Sequence, residues 1–299
     1  MVGLKTLAAA ALAAAVLVGG QSAKAELVYG ITFDNNLFSF DSATPNNILT
    51  GVYVGGLNAN EFIQGIDFRP ATGELYGLSS QNRLLKLDTA TGAATPLPAF
   101  GPPSLNGTAY GMDFNPTVDR VRVHSNANQN FRLHPVTGAV AANDPNLYYA
   151  AGDLGAGLDP NIVASAYANN VAGATSTTLY SIDSVRDTLN VHSLGAGDPA
   201  GSFAQMATVG TLRNAQGATI PFGDYSGFDI SGATGTAYVH WNNASGLFGT
   251  VDLATGIVTT TGTMGGGFFV RDITVVVPEP GSLGVLGLAM AGLVARRRK

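Results

Sequence analysis

The chain reads as an all-β protein, a β-propeller of five blades, on three observations. A strand-turn-strand unit beginning at Gly65 recurs 46 residues later at Gly111 without a gap. The same unit returns in the second half of the chain, from Gly227 to Gly256. The first and last copies are incomplete in complementary ways, so that together they make one blade. Repeats of about 40–50 residues holding several strands are what propeller blades look like in sequence.

The first 25 residues are a secretory leader. Lys5 supplies the positive start, Leu7 to Val18 the apolar run, and Ala23-Lys24-Ala25 the small-residue cleavage site. The run is too short to span a bilayer, and the mature chain is expected to begin at Glu26. Residues 26–277 form the body and 278–299 a separate tail.

The partial first copy comes next. Val28-Tyr29-Gly30-Ile31 and Asn36 to Asp41 match the second and third strands of the unit only. In the full copy, Ile66 and Phe68 alternate with Asp67 at the period of a half-buried strand. Pro70 ends it, because proline cannot donate to a ladder. Leu75–Leu78 and Leu84–Leu87 are further strands, and Asp88-Thr89-Ala90-Thr91-Gly92 is a hairpin loop whose aspartate accepts from the backbone two residues on. Gly111 to Gly138 repeats the pattern, Ala166 to His192 repeats it faintly, and Gly227 to Gly256 repeats it a third time. Val270 to Val275 supplies the inner strand that the opening copy lacks. Closing the ring in this way removes open sheet edges. The count is five blades, or six if residues 141–165 hold an irregular one. Residues 141–165 and 194–221, rich in Gly, Ala, Asp and Pro, are expected to be long loops over one face, where binding would reside.

Composition narrows the function. Whole-chain charge is −5, but the body alone carries nine Lys and Arg against nineteen Asp and Glu, a balance of −10. Nucleic acid is excluded as a partner, because phosphate binding needs a basic footprint. With no cysteine there is no disulfide, thiol catalysis or thiolate metal site. No Gly-x-Ser-x-Gly, His-Glu-x-x-His, Walker or dinucleotide motif is present.

Aspartates 67, 113, 229 and 272 are aligned at one place in four inner strands, with Ala166 at that place in the faint copy. Such a ring could hold Ca²⁺, which prefers oxygen ligands; repeated aspartates that accept backbone N–H groups from the next blade are the stronger reading. His124 and His240 are read as structural, and the recurring Tyr29, Tyr76, Tyr180 and Tyr238 as blade core. Asp34-Asn35-Asn36 and Asn126 to Asn130 are read as polar turns, with sugar or calcium contact as the alternative. Trp241, the only tryptophan, is the expected exposed stacking residue.

The tail is built of three parts in order: Pro278-Glu279-Pro280, an apolar helix-compatible run to Ala295, and the cluster Arg296-Arg297-Arg298-Lys299. From Ser282 to Ala295 a helix reaches about 21 Å at 1.5 Å per residue, short of the roughly 30 Å hydrocarbon core. The basic end stays cytoplasmic, leaving the body outside.

These parts resemble the PEP-CTERM sorting signal. The resemblance implies transient inner-membrane anchoring, processing by an exosortase in a Gram-negative bacterium, and delivery to the cell surface or extracellular matrix, often alongside exopolysaccharide and biofilm. The body, over nearly all of 27–275, resembles the domain of unknown function family 4394. The runs that carry this are Gly65–Gly77, Gly111–Gly138, Ala164–Asp183 and Gly227–Gly256. This resemblance implies a propeller and carries no activity over. The expected role is therefore non-catalytic, binding or structural, linked to extracellular polysaccharide. The alternative is a carbohydrate-active hydrolase or lyase with carboxylates at the channel mouth.

Overall fold

A computed structural model describes residues 25–98, 104–241 and 246–277. The leader with Ala23, the sorting motif Pro278–Pro280, the Arg296–Lys299 cluster and both expected helices lie outside these residues, apart from Ala25 at the leader's end.

Five sheets surround a central axis, antiparallel except where one short outer strand pairs parallel. Blade I contains β1 (Leu27–Thr32), β2 (Asn36–Asp41) and β3 (Ile48–Tyr53). Blade II contains β4 (Ile63–Phe68), β5 (Leu75–Ser79), β6 (Leu84–Leu87) and β7 (Ala94–Pro96). Blade III contains β8 (Tyr110–Asn115), β9 (Arg120–Ser125), β10 (Asn130–Leu133) and β11 (Val140–Asn143). A two-residue strand, β12 (Tyr148–Tyr149), crosses to the outer edge of blade IV, whose other strands are β13 (Ile162–Tyr167), β14 (Leu179–Asp183), β15 (Thr188–Ser193) and β16 (Gln205–Thr211). Blade V contains β17 (Ser226–Ile230), β18 (Ala237–Trp241), β19 (Leu247–Val251) and β20 (Val258–Thr263). The last strand, β21 (Val270–Val275), pairs antiparallel with β1, Tyr29 opposite Thr274, and becomes the inner strand of blade I. The last strand of the body thus closes the ring, and Glu26 fastens the body's first strand: the carboxylate accepts from Thr234 Oγ1 at 2.8 Å and Tyr238 Oη at 2.9 Å in blade V.

Three expectations need correction. Each blade has a fourth, outer strand, and these strands are largely solvent-exposed, so no apolar alternation announces them. Residues 205–211 are one of them, β16, not loop. Residues 141–165 hold no sixth blade; they give the end of β11, the strand β12 and the start of β13.

Four of the five seams between blades are apolar. Ile31, Leu37 and Val54 meet Ile63, Ile66 and Phe68 between blades I and II. Tyr76 and Leu78 meet Met112, Phe114 and Val121 between II and III. Ile182 and Leu189 meet Phe228, Ile230 and Val239 between IV and V. Phe248 and Tyr238 meet Phe40, Ile273 and Val275 between V and I. The seam between III and IV is different. The place opposite the inner-strand aspartate, tyrosine in the other four blades, is Arg122 in blade III. Two residues on, where three blades carry Ile31, Leu78 and Ile182, blade III has His124. His124 stacks on His192 at 4.9 Å, and its Nδ1 lies 2.8 Å from Ser165 Oγ. Gly111 lets the backbones approach here, since a Cβ would stand 2.6 Å from Ser165 N.

His240 fills the corresponding place in blade V, fully buried, with neither ring nitrogen hydrogen-bonded among the described residues. Burial pushes its pKa down to about 3. The imidazole is thus neutral in the fold. Its stabilising share is present above the ordinary value of 6.5 and lost as pH falls through about 3. Substituting His240→Leu, the type of residue other blades use there, should raise stability at neutral pH by about 1–2 kcal/mol. It should also flatten the acid limb. Urea midpoints measured across pH check both; a destabilised variant would show that the imidazole has a partner.

Candidate functional site

The channel and its mouth are the two places where functional groups converge. In the channel, Asp67 Oδ2 accepts from Phe114 N at 2.7 Å, Asp113 Oδ1 from Tyr167 N at 3.1 Å, and Asp229 Oδ2 from Val275 N at 2.6 Å. Each carboxylate stitches its inner strand to the backbone of the next blade. Ala166 contributes no such bond, and Ile230 N is instead held by Asp229 Oδ1 at 2.6 Å.

Asp272 does not belong to this layer. The residue of β21 opposite the second-strand tyrosine is Thr274, so Thr274 is the fifth member and Asp272 lies two residues earlier. At that level Asp272 Oδ2 accepts from Ile66 N at 2.9 Å. Glycine is needed beside it: a Cβ on Gly227 would stand 3.0 Å from Asp272 Oδ1 and 2.7 Å from Ile273 N. Matching aspartate to aspartate along the sequence misplaces this strand by two residues; the apolar frame Ile273-Thr274-Val275 is the better guide.

Carboxylate oxygens of Asp67, Asp113 and Asp229 lie within 4.8 Å of one another, and all three residues are buried. Thr274 Oγ1 sits 3.0 Å from Asp67 Oδ1 and 2.9 Å from Asp229 Oδ2. One hydroxyl has one proton to give, so with both carboxyls ionised one of these two contacts has no proton between its oxygens. No Lys or Arg forms an ion pair with any of the four channel aspartates among the described residues. Burial accordingly raises all of them: Asp229 to about 6, and Asp67, Asp113 and Asp272 well above the ordinary carboxyl value, with Asp229's charge adding to burial at Asp67. Against Ca²⁺, which takes six to eight oxygens, the set offers three carboxylates already accepting backbone N–H groups and one hydroxyl. That donor set fits blade stitching better than a cation.

At the mouth, the connections leading into the inner strands meet those joining second to third strands. Phe33 N bonds Phe269 O at 3.1 Å. Asn35 is a support, not a free contact: its side chain bonds Glu61 O and Ile63 N. Asn126 and Asn161 both donate to Asp224, at 3.4 and 3.0 Å, and Asn128 donates to Asp159. Beside this polar rim is a hollow of about 510 Å³ lined by Thr32, Phe33, Asp34, Tyr225, Gly267, Phe268 and Phe269. Phe269 is 70% exposed, Phe268 44% and Tyr225 38%. Phe33 and Tyr225 meet edge to face at 4.5 Å. Arg271 braces them, its guanidinium 4.2 Å over the Phe33 ring and Nη1 bonded to Gln64 Oε1 at 2.7 Å. Trp241 is not the stacking residue expected of it: 1% exposed, it packs on Phe222 at 5.3 Å. A hollow of about 580 Å³ beside Thr236, Thr250, Asp252 and Thr259 has no aromatic lining.

The family model for the domain of unknown function DUF4394 matches residues 36–274, and the model for the PEP-CTERM protein-sorting motif matches residues 276–299. No curated protein matches the chain. Solved structures with a similar course include one from a nidogen/laminin complex, at 11% identity and TM-score 0.48, covering 85% of this chain and 99% of that one. A structural-genomics protein of unknown function from Bacteroides thetaiotaomicron VPI-5482 is 14% identical at TM-score 0.48, covering 86% and 68%. An auxiliary nutrient binding protein from the same organism is 12% identical at TM-score 0.39, covering 71% and 55%.

Proposed function

For a chain that belongs to the DUF4394 family and ends in a PEP-CTERM sorting motif, we propose a non-catalytic role, binding to polysaccharide of the extracellular matrix. The motif implies processing by an exosortase-type enzyme and export to the cell envelope or surface, as in Gram-negative bacteria. Transient anchoring by the apolar tail and a place in biofilm belong to the same proposal.

The observation that carries it is the aromatic hollow at the mouth. Exposed rings with a polar rim suit the C–H face and hydroxyls of a sugar. The channel carboxylates lend support, because a hydrolase needs its pair open to substrate, whereas Asp67, Asp113 and Asp229 are at most 2% exposed. The purified full chain should be retarded in gels containing matrix polysaccharide. The double variant Tyr225→Ala/Phe269→Ala should bind about tenfold more weakly, or 1.4 kcal/mol, with its thermal midpoint little changed. Unaltered retardation of the double variant, or new reducing ends released from the polymer, would refute the proposal.

A further inference from the structure

Resting on that reading, we propose that the aromatic hollow selects a cationic amino sugar, a glycan bearing free amino groups, with Asp34 as the charge that recognises it. Among the lining residues Asp34 is the one that carries a carboxyl group. It is exposed, and its carboxylate has no hydrogen bond or ion pair among the described residues. It therefore keeps its full capacity for a ligand, unlike Asn35 beside it, whose side chain is used up on Glu61 and Ile63.

The rings point the same way. A protonated amine gains over an aromatic face what a neutral hydroxyl does not, and Phe33, Tyr225, Phe268 and Phe269 surround the space. Asp224, next in the chain to Tyr225, takes part in no salt bridge among the described residues and accepts only from Asn126, Asn161 and Ser184. The opposing charge is Arg271, which is not among the lining residues and is held on Phe33 and Gln64. Two carboxylates without a cationic partner at this end, on a body of net charge −10, outweigh that one cation. A uronate polymer would meet repulsion from Asp34 and from the body's field.

Calorimetric titration of the full chain with three hexamers tests this: glucosamine, N-acetylglucosamine and galacturonate. Below the amine's own titration and at low salt, the glucosamine hexamer should bind about tenfold tighter than the acetylated one. Raising the pH until the amine is neutral, or adding salt, should shrink the difference. Asp34→Asn should weaken the glucosamine hexamer about tenfold more than the acetylated one and so abolish the preference, and Phe269→Ala should weaken both alike. Equal or tighter binding of the acetylated or uronate hexamer, or a preference that survives Asp34→Asn, overturns the inference and leaves the binding role standing. Failure of all three to bind overturns both.

Discussion

Replacing Arg122 by methionine should cost about 3–5 kcal/mol of stability, because several buried acceptors lose their donor at about 1–3 kcal/mol each. Arg122 is 1% exposed and is the hub of the seam between blades III and IV. Its Nε donates to Tyr167 Oη at 2.7 Å, its Nη1 to Ser202 O at 2.8 Å, to Asp144 Oδ2 at 3.2 Å and to Asn130 Oδ1, and its Nη2 to Gly201 O. Methionine fills much of the stem's volume and makes none of these bonds. Asp144 keeps Arg132, through Nε and Nη2 at 2.8 Å, so the carboxylate is not orphaned. The cost falls on the Gly201 carbonyl, on Asn130 Oδ1 and on the Tyr167 hydroxyl, while Ser202 O keeps the Asn130 amide at 2.9 Å. For a body of this size the thermal midpoint should drop by about 6–20 °C, with the urea m-value unchanged. Hydrogen exchange should quicken first at 201–204, the segment the guanidinium pins. Arg122→Lys should recover only part, because an ammonium lacks the planar fork. A loss below about 1 kcal/mol would mean the seam does not depend on the guanidinium.

The 46-residue shift already carries Tyr76 onto Arg122 and Leu78 onto His124, so the odd seam stands in the sequence as a break in a repeat. Ring closure is legible for the same reason, because inner strands are buried on both faces and keep a strict apolar frame. The outer strands are not. Ile48–Tyr53 and Val258–Thr263 bury few side chains and show mostly Thr, Gly and exposed side chains to solvent. The aromatic hollow is illegible too. Phe33, Tyr225 and the Phe268-Phe269 pair come from three connections that share no spacing, and only the ring geometry brings them together. Trp241 misleads because rarity is no measure of exposure, and its place at the end of a second strand puts it in the seam to Phe222.

Asparagine at position 67 should make the protein more stable above neutral pH by about 1–3 kcal/mol, and alter it little at pH 4. The reason lies in the proton count around Thr274. With Asp67 and Asp229 both ionised, one Thr274 proton faces two acceptors. In the Asp67→Asn variant the side-chain amide would keep an oxygen for Phe114 N and turn its NH₂ toward Thr274, whose own proton then serves Asp229. The pH course follows from the raised carboxyls. Asp229 moves from 3.8 unfolded to about 6 folded, so the fold holds the extra proton between those values. Its stabilising share is fully present below 3.8 and is lost as pH climbs through about 6, roughly 3 kcal/mol in all. Buried His192 and His240, pushed down to about 3, act oppositely and remove stability as pH falls below 6.5. Above 6.5 the two histidines no longer change charge while Asp67, Asp113 and Asp272 still ionise, so wild-type stability should fall as pH rises there, and Asp67→Asn should fall less. Urea titrations from about pH 4 to 9 would show it. A variant less stable at every pH would mean the fold needs the Asp67 charge. If Ca²⁺ then raised the wild-type midpoint and not the variant's, the carboxylates would be a cation site after all, since a ligand stabilises only the state that binds it.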